Sequence, residues 1–368
     1  MEVRQGTDQT LLLLAVVLTC LGVVMVFSSS SIMAVREHGD SLYFLKRQGL
    51  YAMVGFTLMA GLMHFNYLYL RKLAVPILFI CLILLVLVLV PGIGARVGGA
   101  KRWIRLLGFS LQPAEFAKLG LIIFMAHSLA RKQDKMKSFK LGFLPYMVVL
   151  SVLLLLILLQ PDLGSALTLG VVAMAMMFVA GTRPVYIVGL GILALPFLYF
   201  MVMNVDYRRR RILAFLNPWE DPSNTGFQII QSWIAFGSGG AMGNGLGESK
   251  QKLFFLPEAH TDFIFSVVGE ELGFAGVIII AAMFLLLVLR GFKAATSAPD
   301  SFGSYLAFGM TLLIGIEAFV NMAVVMGLVP TKGLALPFLS YGGSSLMATL
   351  MAVGIILNVS SRNPGELR

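Results

Sequence analysis

The sequence has few charged residues and no large block that resembles a soluble domain. Of its 368 residues only 12% are charged and 58% are hydrophobic, and the mean hydropathy is +0.88. In typical soluble domains about a quarter of the residues are charged. The longest stretch of soluble character covers only 205–262. The composition therefore excludes an ordinary soluble protein and indicates a single polytopic membrane domain over residues 1–368.

The sequence also has only two cysteines, and it lacks a signal-peptide cleavage site and a continuous basic stripe. Cys20 and Cys81 both lie in apolar runs, so neither a disulfide framework nor a thiolate metal site is expected. The apolar run 10–33 can span a membrane and lacks a small-residue cleavage site, which predicts a first transmembrane helix. The net charge is +10, but the basic residues form short clusters between apolar segments, which argues against nucleic-acid binding.

Apolar segments long enough to span a bilayer recur along the chain, since a spanning helix needs about 20 apolar residues. The candidates are 10–33, 48–65, 73–91, 113–130, 141–160, 164–181, 184–204, 263–289, 302–328 and 343–360. We predict an all-α protein with about ten transmembrane helices and a large extracytoplasmic loop, 205–262, between helices seven and eight. Proline and glycine interrupt one long apolar stretch near 160–164 and 181–184, so eight or nine spans remain an alternative.

Basic residues predict the orientation of the chain. The segment 131–140 carries five of them between two spans, which places it in the cytoplasm. The opposite face nevertheless carries Lys101, Arg102, Arg105, Arg208 to Arg211, Lys250, Lys252 and Lys332. Either these cations bind lipid headgroups, or they favour a polyanionic substrate at the outer face of the membrane.

The long loop contains an amphipathic pattern followed by a glycine-rich stretch. Apolar residues recur at helical spacing from Phe227 to Phe236, which predicts a helix lying on the membrane. Gln228, Gln231 and Ser232 are its candidate substrate contacts, although packing alone would account for them equally well. The glycines of 237–247 fit neither a Rossmann nor a Walker motif, so a mobile loop is expected there.

Asp262 is the last polar residue before an apolar span, and it follows His260 and Thr261. A carboxylate at this place either caps the helix or performs chemistry. Lys332, Ser340 and Tyr341 belong to a predicted re-entrant loop before the last span and are further candidate contacts.

Other ionisable residues lie at a comparable depth in the membrane. Glu115 and Lys118 share a helix face at i and i+3, either as a mutual ion pair or as substrate contacts. Asp162 lies at a Pro-Gly helix break that is tolerated only against protein or a water-filled cavity. For the deeper residues we favour interhelical hydrogen bonds. These are Glu270, Glu271, Glu317 and Asn321.

These motifs resemble the SEDS family (shape, elongation, division and sporulation) of bacterial peptidoglycan polymerases over most of the chain. The specific parts are Gln160-Pro161-Asp162-Leu163-Gly164, Asn217-Pro218-Trp219-Glu220-Asp221-Pro222, 256–263, Pro330-Thr331-Lys332-Gly333 and 340–345. Gln251-Lys252, Glu258-Ala259-His260 and Thr331-Lys332-Gly333 resemble the division type more closely than the elongation type. The terminal tails are shorter than in many division-type members, which puts partner contacts through the tails in doubt.

The resemblance implies a ten-helix SEDS fold and a glycosyltransferase of septal cell-wall synthesis. Its substrate would be lipid II, an undecaprenyl-diphosphate-linked disaccharide-peptide, at the outer face of the cytoplasmic membrane. The resemblance also implies Asp262 as the essential carboxylate and a central cavity lined by Glu115, Lys118 and Asp162. The implied partners are a single-span class B penicillin-binding transpeptidase and other division-machinery proteins.

The residue types suit this chemistry. A carboxylate such as Asp262 can remove the proton of the attacking hydroxyl as a general base. The leaving lipid diphosphate is already a stable anion, so it needs cations rather than a second acid. Lys101, Arg102, Arg208 and Lys250 are the candidates, with Mg²⁺ or another divalent cation as a possible helper and no organic cofactor. Single displacement at an α-linked donor predicts inversion and a β-1,4 link.

Three alternatives stay open at this point. Ionisable residues within the membrane would equally suit a flippase that moves lipid II across the bilayer. A scaffold of the division machinery without catalysis would need none of the loop charges. An elongation-type polymerase would share the chemistry and differ in cellular role.

Overall fold

The structure is a computed structural model that describes residues 6–97, 100–106, 109–224, 226–252, 256, 259–331 and 333–362. Within these ranges the chain is predominantly helical. Its helices are α1 (Gln9–His38), α2 (Tyr43–His64), α3 (Leu68–Leu89), α4 (Pro113–Arg131), α5 (Leu144–Leu159), α6 (Leu163–Val179), α7 (Pro184–Met203), α8 (Asp206–Leu216), α9 (Phe227–Gly239), α10 (Ile264–Thr296), α11 (Ser301–Val325) and α12 (Gly343–Ser360).

The predicted spans all fall on helices of this list. In the part of the chain that the structure describes, eight helices are long and apolar enough to cross a membrane: α1, α3, α4, α5 with the π-helical turn Phe139–Phe143 before it, α7, α10, α11 and α12. The apolar α6 has only 17 residues, and α2 carries Lys46 and Arg47 in its first turns. The predicted helical membrane fold is therefore confirmed, while the count of ten spans stays a prediction.

A small antiparallel sheet between α3 and α4 was not predicted. Its strands are β1 (Gly94–Val97), β2 (Ala100–Leu106) and β3 (Phe109–Leu111), in the order β1-β2-β3. Gly94 pairs with Ile104, and Arg105 pairs with Ser110. Because the sheet follows the end of α3 and precedes α4, it covers the end of the helical bundle at which α4 begins.

The centre of the bundle is formed by α4, α11 and α12. In the most apolar 18-residue segment of α4, α11 and α12, 72%, 61% and 78% of the residues are buried inside the protein. None of the residues in the corresponding segment of α7 is buried. The exposed apolar side chains of α7 suit contact with lipid. Charged residues on α4 and α11 consequently lie inside protein, whereas α7 lies at the periphery.

The predicted amphipathic helix is α9, and it packs against α10 and α11. Ser232 Oγ lies 2.8 Å from Ser266 Oγ and donates to the Val325 carbonyl at 2.5 Å. The Trp233 indole donates to the Met326 carbonyl at 3.1 Å. Trp233 and Ile234 stay exposed on the other side. The helix therefore has one face buried in protein and an exposed apolar face.

The glycine-rich stretch is bound to α10 rather than free. Its backbone amides at Asn244 and Gly245 donate to the carbonyls of Glu270 and Glu271, both at 3.0 Å. In return the Phe274 amide donates to the Gly240 carbonyl at 2.9 Å. These bonds form where α10 is broken by Gly273, whose φ is 66°. The expectation of a mobile loop is therefore corrected by main-chain pairing at a helix break.

The two buried glutamates at this break are both hydrogen-bonded, but among the described contacts only Glu271 bonds another helix, and the interhelical bond expected for Glu270 is replaced by bonds to the loop. The Glu270 carboxylate accepts from the amides of Lys250 at 2.9 Å and Gln251 at 3.3 Å, and from the Ser249 hydroxyl. Glu271 pairs with Lys252 at 3.2 Å and accepts from Ser28 of α1 at 2.6 Å. Together they fix the segment that leads to Asp262.

Candidate functional site

A cavity of about 870 Å³ opens where α4 begins, below the sheet. It is lined by residues of α2, β2, α4, α8, α11, the α5–α6 turn, the turn before α10 and the α11–α12 loop. The ionisable side chains on its walls are Arg47, Arg102, Glu115, Lys118, Asp162, Arg208, Arg211, His260, Asp262 and Glu317. Elements that are far apart in the sequence thus bring positive and negative side chains together in one cavity.

Asp262 lies in the turn before α10, on the wall of this cavity. The helix begins at Ile264 with Phe263 as its N-cap residue, so Asp262 is not the capping residue. The N-cap interpretation of its carboxylate is therefore wrong. A Cβ atom placed on Gly333 would lie 3.1 Å from Asp262 Oδ2. The carboxylate consequently borders the α11–α12 loop in the cavity, where a substrate can reach it.

Asn321 of α11 holds the backbone of this turn. Its side-chain amide donates to the Asp262 carbonyl at 2.9 Å and to the Leu334 carbonyl at 2.6 Å. Asn321 is 2% exposed. The interhelical hydrogen bonding expected for it is confirmed, and its acceptors link two walls of the cavity.

His260 and Tyr341 join the same turn to α2 and the α11–α12 loop. The Tyr341 amide donates to the His260 carbonyl at 2.9 Å. The Phe44 ring lies 4.8 Å from the His260 ring and 5.0 Å from the Tyr341 ring, measured between centroids. Burial raises the pKa of the Tyr341 phenol, and the charge of Arg47 opposes this. The aromatic contacts brace the turn that carries Asp262.

Lys118 lies between two carboxylates at the floor of the cavity. Its Nζ is 2.8 Å from Glu115 Oε1 and also bonds Glu317 Oε1. The Lys118 side chain is 1% exposed. Such a buried cation needs its partners, because removal of one partner leaves an uncompensated charge. The ion-pair interpretation of Glu115 and Lys118 is confirmed, and Glu317 joins the pair from α11 as a cavity residue.

Asp162 caps α6 and also lines the cavity. Its Oδ1 accepts from the Ser165 amide at 3.1 Å, and its Oδ2 accepts from the Ser165 hydroxyl at 2.9 Å. Gln112 Nε2 donates to the same Oδ2 at 3.3 Å. Arg102 of β2 donates from Nε to the Gln160 carbonyl at 3.0 Å and from Nη2 to that of Pro161. Arg102 therefore ties the sheet to the α5–α6 turn.

Several predicted contacts lie away from the cavity. Lys101, Lys250, Gln228 and Gln231 are not among its lining residues. Ser232 is fully buried in the contact of α9 with α10 and α11, so a substrate contact does not fit it. Ser340 Oγ accepts from the Leu336 amide at 2.7 Å and shapes its own loop. Lys332 lies outside the described residues.

The sequence analysis missed Arg47 and Tyr51 as cavity residues, and it named Arg211 only as one of the outer cations. Arg47 and Tyr51 come from α2, four residues apart on one helix face, and Arg211 comes from α8. Arg211 lies three residues after Arg208, so helical spacing could have placed both on one side of α8. Arg211 Nη1 donates to the Thr331 carbonyl at 3.4 Å.

The cavity offers few groups for a metal ion. Among the described residues no three His, Cys, Asp or Glu side chains are grouped to hold one. Glu115 and Glu317 are paired with Lys118, and Asp162 caps α6. A resident metal held by protein side chains alone does not fit these residues.

Comparison with known proteins decides the family. A family model described as "Cell cycle protein", which groups FtsW, RodA and SpoVE, matches residues 8–364. The chain belongs to this family. It is 65% identical over 358 residues to the "Probable peptidoglycan glycosyltransferase FtsW" of Geobacter sulfurreducens, a match that covers 97% of this chain and 96% of that protein. The division-type resemblance inferred from the motifs is thereby confirmed.

Solved structures share the fold. A chain from the structure described as "Structural coordination of polymerization and crosslinking by a peptidoglycan synthase complex" is 33% identical, with a TM-score of 0.78, and the match covers 96% of this chain and 97% of that one. The Thermus thermophilus rod shape determining protein RodA is 31% identical, with a TM-score of 0.71 and 96% coverage of both chains. The SEDS fold is therefore shown for this chain.

Proposed function

We propose that this chain is a peptidoglycan glycosyltransferase that polymerises lipid II, with Asp262 as the general base. The observation that carries the proposal is the position of Asp262 on the wall of a cavity that also holds several guanidinium groups. The FtsW relative, which is named as a peptidoglycan glycosyltransferase, supports the reaction class and a septal role. The reaction would take place at the extracytoplasmic face of the cytoplasmic membrane.

Asp262 would act on the acceptor sugar. Its carboxylate accepts the proton of the C4 hydroxyl while that oxygen forms a bond to C1 of the donor sugar. The bond from C1 to the diphosphate oxygen breaks, and the electron pair leaves with undecaprenyl diphosphate. One displacement inverts C1, so an α-linked donor yields the β-1,4 link. The turn before α10 supplies the rigid position that such a base requires.

Cations of the cavity would stabilise the leaving group. Arg47, Arg208 and Arg211 lie on its walls from α2 and α8. Guanidinium groups pair well with phosphate oxygens, and preorganised charges lower the barrier most where charge develops. Arg102 has two nitrogens engaged with carbonyls, so a positioning role for the sheet suits it better than diphosphate binding.

Two further components belong to the proposal. Mg²⁺ commonly binds one or two carboxylates together with substrate phosphates, so a divalent cation would enter with the diphosphate rather than reside in the protein. A class B penicillin-binding transpeptidase is the proposed partner. The similarity to a chain of a complex named for polymerization and crosslinking supports it.

The test uses the purified protein with its transpeptidase partner and labelled lipid II in detergent. Asp262→Asn should lower polymer formation by roughly 10²- to 10⁴-fold, the usual contribution of a general base. The matched control is Asp206→Asn, because Asp206 is an exposed carboxylate in the same loop and does not line the cavity. The control should polymerise like the wild type.

Two outcomes would overturn the polymerase mechanism. One is a wild-type protein that makes no glycan polymer together with its partner. The other is an Asp262→Asn variant that makes as much polymer as the wild type. A flippase would instead move lipid II across sealed vesicles without lengthening it, so the same protein reconstituted in vesicles separates the two functions.

A further inference from the structure

A second cavity, of about 540 Å³, lies at the other end of α4. Its walls include Arg131, which ends α4, whereas Glu115 and Lys118 of the Asp262 cavity lie in the first turns of this helix. The helix has 19 residues and is about 28 Å long at roughly 1.5 Å per residue. The two cavities are therefore separated by most of the thickness of a membrane.

The walls of this second cavity carry an excess of positive charge. Arg131, Lys132 and Lys135 line it, together with the single carboxylate of Asp134. Arg131 and Lys135 are exposed and make none of the described salt bridges. Three cations against one carboxylate in a hollow favour an anionic ligand, and guanidinium and ammonium groups suit phosphate in particular.

A histidine that lines this cavity has one buried ring nitrogen without a described protein partner. His127 lines it, and His127 Nδ1 is buried without a hydrogen-bond partner among the described residues. The neighbouring Ser128 already accepts from the Tyr146 hydroxyl at 3.0 Å. Buried polar atoms normally have a partner, so a turn of the His127 ring toward a ligand that carries a hydroxyl group would satisfy this nitrogen.

The remaining wall is apolar and continues onto the lipid-facing side of α3. Val75 and Phe124 line the cavity. Val75 is 57% exposed, and Phe79, one helical turn further, is 63% exposed. On a helix that spans the membrane these exposed apolar side chains face acyl chains. A ligand in the cavity would thus meet charge at one side and hydrocarbon at the other.

We infer that this cavity binds an anionic phospholipid with a hydroxyl-bearing headgroup, such as phosphatidylglycerol, from the cytoplasmic leaflet. The phosphodiester pairs with Arg131, Lys132 and Lys135, a headgroup hydroxyl reaches His127, and an acyl chain lies along Val75. Ordinary positive-inside attraction would need neither a cavity nor the unpartnered His127 nitrogen. The site is distinct from the proposed catalytic cavity.

The test measures lipid retention by native mass spectrometry of the full-length protein in detergent, with phosphatidylglycerol or phosphatidylethanolamine added. The double variant Arg131→Gln with Lys135→Gln should weaken binding of the first phosphatidylglycerol by about 25-fold, because each cation near an anionic lipid contributes about a factor of five. Binding of phosphatidylethanolamine should change by less than about twofold on the same scale.

The matched control removes the same charge from the same loop. Lys137 and Lys140 are exposed and do not line the cavity, so Lys137→Gln with Lys140→Gln should retain phosphatidylglycerol like the wild type. Equal losses in both double variants would show general electrostatic attraction and overturn the site. An excess of inorganic phosphate that displaces the lipid completely would show a soluble anion as the ligand and overturn the lipid assignment.

A steric variant tests the apolar wall without a change of charge. Val75→Trp should fill the acyl-chain side and reduce phosphatidylglycerol retention. Phe79→Trp, on the same helix and outside the cavity lining, should have no effect. If Val75→Trp retains the lipid as the wild type does, the proposed binding mode is wrong.

Discussion

Asn321 allows a direct test of whether the residues around Asp262 position its carboxylate for catalysis. Its amide links the carbonyls of Asp262 and Leu334 at 2.9 and 2.6 Å, so it fixes the turn without a described contact to the carboxylate oxygens. We expect Asn321→Ala to lower kcat by about 10- to 100-fold, because small misplacement of a base is costly. KM for lipid II should change little, which kinetics with labelled lipid II would measure.

Asn358 provides the control for this substitution. It is also 2% exposed, and its amide donates to the carbonyls of Leu62 and Met63 at 2.8 and 2.9 Å, away from the cavity. Asn358→Ala should lower the thermal midpoint while turnover per folded molecule stays normal. A similar loss of kcat in both variants would mean that Asn321 contributes only to stability.

A substitution at Gly333 tests whether the Asp262 carboxylate needs the space that this glycine leaves beside it. A Cβ atom at this position would lie 3.1 Å from Asp262 Oδ2, closer than ordinary van der Waals contact. Gly333→Ala should therefore displace the carboxylate and reduce polymerisation by roughly tenfold. Gly61→Ala in α2 is the control, because a Cβ there meets open space. Wild-type turnover of Gly333→Ala would show that the carboxylate tolerates this displacement.

At the level of elements, the break in α10 holds the glycine-rich part of the loop 205–262 in place. Gly273 has φ 66°, and a Cβ there would lie 2.2 Å from the Gly243 amide nitrogen. Gly273→Ala should lower the free energy of unfolding by about 2 kcal/mol or more, from strained φ and lost main-chain pairing. Thermal unfolding of the purified protein would measure this.

The control for the helix break lies in α7. Gly189 has open space around its Cβ position, so Gly189→Ala should leave the thermal midpoint nearly unchanged or raise it. If Gly273→Ala is equally stable, the pairing of the glycine-rich segment with α10 does not contribute to the fold.

Hydropathy was sufficient to place the membrane helices, but it could not reveal the sheet. Long apolar runs are a strong signal because lipid demands them. The segment Ala100–Leu106 mixes Lys101, Arg102 and Arg105 with apolar residues, and we interpreted these cations only as ligands for an anion. The glycine pair at 98–99 between two short segments was the available sign of a hairpin.

The site was predictable where a residue lies next to a motif and unpredictable where folding brings partners together. Asp262 was recognised at the start of an apolar span. Asn321 donates to its carbonyl from 59 residues further on, and nothing local in the sequence reveals that bond. Ser232 shows the opposite error. We predicted a substrate contact for this polar side chain, but its hydroxyl donates to the Val325 carbonyl where the helices pack together.

For the whole molecule, charge is concentrated at the two ends of the central helix α4. One end carries the Asp262 cavity with charges of both signs, and the other carries the basic segment after Arg131. Between these ends α4 is apolar and mostly buried. This separation is what a protein needs if it handles a diphosphate on one side of a membrane and faces anionic lipid on the other.

The sidedness of these two ends can be tested by cysteine labelling in cells. With Cys20 and Cys81 replaced by alanine, Glu248→Cys marks the loop before Asp262 and Lys137→Cys marks the basic loop, since both residues are exposed. A membrane-impermeant maleimide should label Glu248→Cys in intact spheroplasts and Lys137→Cys only after permeabilisation. The reverse pattern would place Asp262 in the cytoplasm, where lipid II polymers could not join the cell wall.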